Sequence, residues 1–377
     1  MDTDPGWMIT GGHLFGVVDV ELTNRCNAHC SFCPRDLTPH QGVMTPAVFE
    51  RVLARVLEFR DACGPVLPKA PNVSFCGLGE QLLNRDVTGF VGQLRDGGID
   101  SVVNTNAALL DEDRGRALLD AGVEAVMING GELGDDYERT YRLPFGRTRD
   151  NVARFVELAA DRCRVFIVLV DHGDDAGHVD EVEAYWRGLG VTRFFRLDLL
   201  NRAGSLPVPS MHYDAERPGR AEQLWGDETG HAACDAPFHF PFIGYDGQYY
   251  LCSSDWQKEV AFGTVFETSI VDIMAAKLER VTSRSPICRA CNHDPLNRLS
   301  DRVAAVERGE ADEVDLVALT EELRGRADNL AEVLGRLGVP TRADGVSAAA
   351  GASAGQVPDG REQVPTGHRQ LIPVVAR

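Results

Sequence analysis

Val17-Val18-Asp19-Val20-Glu21-Leu22-Thr23-Asn24-Arg25-Cys26-Asn27-Ala28-His29-Cys30-Ser31-Phe32-Cys33 runs from a short apolar segment straight into a loop holding three cysteines with gaps of three and two. The apolar segment reads as a strand, and five more follow at Val73 to Phe75, Ser101 to Val103, Ala125 to Ile128, Val165 to Val170 and Phe194 to Leu199. Helical spacing fills the intervals: Pro46 to Phe59, Asp86 to Asp96, Asp111 to Ala121, Thr148 to Asp161 and His178 to Leu189. Several strands are apolar on both faces, which predicts a parallel sheet covered by helices. At roughly 30 residues per unit, Val17 to about Leu200 holds six strand-helix units, fewer than the eight of a closed barrel. The fold class is α/β, and an incomplete barrel and a doubly wound sheet both fit the pattern.

The composition narrows the function. The 377 residues carry a formal charge of -19, which disfavours nucleic acid and anionic membrane surfaces as partners. No apolar run approaches a membrane span and the N-terminus lacks a signal pattern, so a cytoplasmic location is expected. Ten cysteines in a reducing compartment point to metal binding or catalysis rather than disulfides. Three thiolates from one tight loop can hold three irons of a 4Fe-4S cluster and leave the fourth iron open. Structural zinc wants four closed ligands, and His29 lies between the cysteines where it cannot easily join them. The loop also follows a strand, at the carboxyl end of the sheet where α/β folds build their sites.

The three-cysteine spacing, with Phe32 before Cys33, resembles the radical S-adenosylmethionine (SAM) superfamily. The resemblance implies that Cys26, Cys30 and Cys33 hold a 4Fe-4S cluster whose open iron binds SAM, and that SAM is cleaved to a 5′-deoxyadenosyl radical that takes hydrogen from substrate. Cys76-Gly77-Leu78-Gly79-Glu80-Gln81 is similar to the family's Gly-Gly-Glu-Pro segment, with Gln81 in place of the Pro, which implies that Gly79 and Glu80 receive the SAM ammonium. Thr105 and Asn106 resemble its Thr-Asn-Gly, and Asn129 stands where a polar SAM contact lies. A partial (βα)6 TIM-like barrel over residues 17–205 is what the resemblance implies.

Cys234, Cys252, Cys288 and Cys291 form a second group, spread over a hairpin signal at Tyr245-Asp246-Gly247-Gln248 and a helix from Ile270 to Arg280. Their spacing alone serves zinc or iron-sulfur equally. Behind a radical SAM domain they resemble the Twitch module, the reduced form of the SPASM domain, which holds an auxiliary 4Fe-4S cluster. The expected organisation is a linker at 206–230, this module at 231–300, helices at 301–340 and a disordered tail at 341–377.

The Cys234 to Cys252 gap, the Val260 to Val265 segment and Asn201-Arg202-Ala203-Gly204 resemble the 2-deoxy-scyllo-inosamine dehydrogenase-like carbohydrate-tailoring enzymes of antibiotic and aminoglycoside biosynthesis. That resemblance implies oxidation of a carbinol in a sugar, polyol or aminocyclitol to a ketone, with Arg202 at the reacting hydroxyl, the auxiliary cluster as electron acceptor and a flavodoxin or ferredoxin as donor. Leu78, Asn104 and Ser253 depart from the family's aromatic residues, so the substrate does not carry over with the rest. Three alternatives compete: an epimerase with Cys76 as hydrogen-atom donor, a peptide-modifying enzyme, disfavoured because no leader-binding domain is expected before the barrel, and a non-enzymatic iron-sulfur carrier or zinc protein. Cys63 and Cys163 read as packing residues.

Overall fold

The computed structural model describes residues 14–38, 40–67, 69–171, 177–206, 219–225 and 234–340. The expected tail at 341–377 and most of the expected linker lie outside them.

Strands β1 (Val17–Val20), β2 (Asn72–Phe75), β3 (Ser101–Thr105), β4 (Ala125–Asn129), β5 (Arg164–Asp171) and β6 (Arg193–Asp198) pair in parallel and in sequence order. A doubly wound sheet reverses direction at a switch point. Here no reversal occurs, so the right-handed crossovers stack the helices on one face and the six strands make the open barrel expected from the resemblance.

The helices owe their positions to caps and stripes. Helix α1 (Pro46–Cys63) starts on Thr45, whose hydroxyl accepts from the Val48 amide, with Pro46 in the first turn where a missing N–H costs nothing. Phe49, Val52, Val56, Phe59 and Cys63 then recur at helical spacing and are buried. Each large one contributes roughly 1.5–3 kcal/mol by leaving water. Helices α2 (Val87–Asp96) and α3 (Glu112–Ala121) follow the same plan, α3 opening on the Asp111 cap and closing at Gly122 with φ 90°. Next come α4 (Gly134–Tyr141), which the sequence pattern did not announce, α5 (Phe145–Ala159) and α6 (His178–Gly188).

The two faces of the sheet differ. Val18, Val20, Val73, Phe75, Val103, Val126, Ile128 and Ile167 pack against the helices. The concave face is apolar at β4 and β5, through Ala125, Met127, Phe166 and Val168. Alternation puts Asp19, Ser74 and Asn104 on that same face at β1 to β3, where a polar wall replaces the expected apolar one.

The module after the barrel continues the same sheet. Strand β7 (Phe242–Ile243) pairs in parallel with β1, and β8 (Gln248–Tyr250) and β9 (Ala261–Thr264) follow antiparallel, giving nine strands in the order β6-β5-β4-β3-β2-β1-β7-β8-β9. The β1 edge is covered rather than left open. A helix, α7 (Gly219–Trp225), lies inside the stretch read as a linker. After α8 (Ala236–His239), α9 (Met274–Thr282) and α10 (Pro286–Ala290) come α11 (Pro295–Arg308) and α12 (Glu313–Arg336). Ala221 of α7 packs with Leu299, Leu316 and Leu323 of that last pair.

Candidate functional site

The loop of Cys26, Cys30 and Cys33 is held from three sides at the carboxyl end of β1. Asn24 donates to the His40 carbonyl at 2.6 Å and accepts from the Gly42 amide at 2.9 Å, which folds the chain after Cys33 back onto the loop's start. The end of α4 supplies the Thr140 and Tyr141 carbonyls to the Ser31 and His29 amides. Arg35, buried, donates to the Ala28 carbonyl at 3.0 Å. The His29 side chain is 64% exposed and paired with Asp36. Burial pushes the Cys26 thiol up to about 11 and the Cys30 thiol further, with Arg35 acting in the opposite direction.

Glu80 lies beside this loop, 1% exposed, and is the hub of the next two strand ends. Its carboxylate accepts from the Thr105 hydroxyl at 2.7 Å, the Asn106 amide at 2.7 Å and the Leu82 amide at 3.1 Å. Burial raises its pKa while these donors oppose the rise. Asn106 completes the link, with its side-chain amide 2.9 Å from Asn27 and 3.9 Å from the Cys26 sulfur. Glycine at 79 has a physical cause within the chain: a Cβ there would stand 2.0 Å from the Thr23 carbonyl oxygen. Gln81, where the family has Pro, accepts from the Leu22 amide at 2.9 Å and donates to the Gly79 carbonyl at 3.0 Å, so the departure is a brace for the same turn. Asn129 ends β4, half-buried, one strand further round. Cys76, half-buried just beyond β2, faces the concave side with Asp19 and Ser74, and its thiol pKa is raised by burial and by Asp19.

The second cysteine set surrounds a cavity of about 540 Å³ that Cys234, Cys252, Cys288 and Cys291 all line. Cys288 and Cys291 sit at the end of a tightly tied turn: the Asn297 side chain donates to the Cys288, Arg289 and Cys291 carbonyls at 3.3, 2.9 and 2.8 Å. The Ser285 hydroxyl points to the Cys288 sulfur at 3.4 Å and the His293 amide to the Cys291 sulfur at 3.4 Å. Cys234 is placed by its neighbour Asp235, which accepts two 2.8 Å bonds from Arg326 of α12. Among the described residues no three of these groups converge closely enough to seat a single ion. The thiols ring a space instead, and both donor sets, three thiols with one position open and four thiols closed, fit 4Fe-4S clusters.

The Asn201-Arg202-Ala203-Gly204 segment docks on this module. Asn201 and Asn292 exchange backbone-to-side-chain bonds, each 3.1 Å, and the Asn201 side chain donates to the Ala290 carbonyl at 2.8 Å. Arg202, Ala203 and Gly204 are all left-handed, with φ of 47°, 53° and 80°. Two non-glycine residues held there in succession mark a turn over-determined by its surroundings. Sequence reasoning missed Asn24, Arg35 and Asn297, whose side chains tie loop carbonyls that leave no periodic signal, and the buried pair of Glu21 with Lys258, 2.7 Å apart, whose members are far apart along the chain.

The family model of the radical SAM superfamily matches residues 20–183, and the SPASM iron-sulfur cluster-binding domain matches residues 234–292. An S-adenosyl-L-methionine-dependent 2-deoxy-scyllo-inosamine dehydrogenase of Niallia circulans is 22% identical over 295 residues, 74% of this chain and 94% of the relative. Among solved structures, SuiB of Streptococcus suis bound to precursor peptide SuiA shares the fold with TM-score 0.55 and 14% identity, covering 78% of this chain and 73% of that one. BtrN in complex with AdoMet and 2-DOIA aligns over 74% of this chain and 94% of that one, with 19% identity and TM-score 0.48. The chain is an enzyme with a radical SAM domain and a C-terminal SPASM domain, whose cofactors are a SAM-binding 4Fe-4S cluster, SAM and an auxiliary cluster.

Proposed function

We propose that the enzyme oxidises a secondary alcohol of a sugar, polyol or aminocyclitol to a ketone, in the manner the dehydrogenase relative's name describes. Cys26, Cys30 and Cys33 would hold the cluster that binds SAM, which would supply hydrogen-atom abstraction, and Cys234, Cys252, Cys288 and Cys291 would hold the auxiliary cluster, which would supply a one-electron acceptor. The chain's own residues supply the rest. The carbinol must lose a hydrogen atom, a proton and an electron in all, and we assign the proton step to Arg202. Its guanidinium keeps its own proton, so it lowers the pKa of the hydroxyl and passes the proton to water. Glu80, Thr105, Asn106 and Asn129 form the wall at the SAM amino acid end. The substrate class is taken from the name of the 2-deoxy-scyllo-inosamine dehydrogenase relative, and antibiotic or aminoglycoside intermediates are the candidates it suggests.

The observation that carries this reading is the strained turn of Arg202 seated on Ala290, between two ligands of the auxiliary site. A hydroxyl-binding cation on this turn would belong to a segment tied directly to the auxiliary site. The test is anaerobic reconstitution followed by SAM, reductant and a panel of aminocyclitols. Production of 5′-deoxyadenosine with a ketone lighter by two hydrogens supports the reading, and 5′-deoxyadenosine without any ketone contradicts it. Flavodoxin and ferredoxin are the electron donors to try first.

Cys76 favours a second reading. Its thiol faces the concave side, and burial beside Asp19 keeps it protonated, the form that donates a hydrogen atom. An epimerase would use it in that form.

A further inference from the structure

Lys277 of α9 is 0% exposed, and no step above uses it. Its ammonium donates to the Leu251 carbonyl at 3.2 Å, one residue before the cluster ligand Cys252, and lies 5.9 Å from the Phe262 ring. The negative groups acting on it are Cys252, Asp19 and Asp255. Both carboxylates are engaged elsewhere. Asp255 accepts from the Glu259 and Val260 amides at 2.9 Å each, and Asp19 bonds with Cys76 and Ser74 on the concave face of the barrel.

The other buried lysine of the module shows the contrast. Lys258 meets Glu21 at 2.7 Å and lies 4.4 Å from the Tyr250 ring, so its charge is cancelled at contact distance. Among the described residues Lys277 has no such contact to cancel it. An ammonium taken out of water without a contact counter-ion is costly, and negative charge lodged nearby is what offsets the cost. Four thiolates around the cavity are such charge, and an electron added there increases it. Cluster potentials respond to the net charge around them.

We propose that Lys277 is the positioning charge of the auxiliary site: its ammonium raises the reduction potential of the cluster held by Cys234, Cys252, Cys288 and Cys291, while Asp19 opposes it from the barrel side. One electron is added at the cluster, and no bond or proton changes at Lys277. The oxidative reading explains why such a potential matters, because the electron leaving the substrate must find an acceptor. Burial lowers the Lys277 pKa to about 8 and raises that of Asp19 to about 7, so between these values, near pH 7.5, the charged form of each group predominates.

The experiment is an EPR-monitored redox titration of the reconstituted, substrate-free full chain at that pH. Lys277→Met keeps the apolar stem and should lower the auxiliary potential by at least about 59 mV, a tenfold change in a one-electron equilibrium. Lys277→Arg should restore it. Asp19→Asn should move it the opposite way, and the potential of the SAM-binding cluster should stay put in all three. An unmoved potential in Lys277→Met, or a shift of the same sign in Asp19→Asn, overturns the proposal. If Lys277→Met fails to hold the cluster, Asp19→Asn decides, and a lowered or unchanged potential there overturns it. Product analysis is independent: an inverted alcohol would defeat the oxidative reading and leave these shifts intact.

Discussion

Cys26, Cys30 and Cys33 come from one stretch of chain between β1 and α1, whereas Cys234 lies just before α8, Cys252 in the segment after β8, Cys288 within α10 and Cys291 just beyond it. The first set keeps its shape through hydrogen bonds from neighbouring loops, with Glu80, Asn24 and Arg35 as the braces. The second set has few local braces outside the Asn297 turn, and its segments meet only around the cavity. The loop of the open site is tied by hydrogen bonds that need no metal. A closed site can serve as the staple of its own module.

The largest effect should therefore separate the two sets. Changing Cys234, Cys252, Cys288 and Cys291 to Ala should remove one 4Fe-4S cluster and destabilise the module by several kcal/mol, because ligand binding and local folding are one event there. Changing Cys26, Cys30 and Cys33 to Ala should remove the other cluster and all SAM cleavage with little loss of thermal stability. Iron and sulfide counts with calorimetry on both variants check this, and equal melting shifts would break the contrast.

Glu80→Ala sharpens the picture of the open site. Three donors lose a buried charged partner, at about 1.5–3 kcal/mol for such bonds. SAM affinity should fall roughly tenfold to a hundredfold while both clusters remain, as titration calorimetry with SAM would show. Asn201→Ala tests the link between the regions. It removes two bonds to the Cys288 to Asn292 turn and should cost about 1–2 kcal/mol. Ketone yield should drop with SAM cleavage retained, since Arg202 loses its anchor. Gly204→Ala is the mildest probe: φ is 80° and a Cβ would meet the Ala290 methyl at 3.0 Å, so about 1 kcal/mol and a partial loss of coupled turnover are expected.

The difference between the two regions also explains how much the sequence disclosed. The six parallel strands and five of the helices were legible because apolar periodicity survives in each, and the three-cysteine loop was legible because its ligands are neighbours. The short α4 was hidden, since Gly134 to Tyr141 has only Tyr137 and Tyr141 buried. The helix expected at Ile270 begins at Met274, as Ser269 and Asp272 form a turn first. Spacing could not reveal that β7 joins the barrel sheet, or that Gln81 takes over the work of a Pro, because each depends on a partner 59 or more residues away. Asp19 and Lys277, which act on each other electrostatically although far apart in the sequence, left no local signal at all.

The most direct test of the oxidation itself is the reaction in deuterated water, with mass and NMR analysis of the reacting carbon. The account predicts a ketone, formed equally well by Cys76→Ala, with no new carbon-bound deuterium at that centre. An alcohol of inverted configuration carrying solvent deuterium, lost in Cys76→Ala, would contradict it.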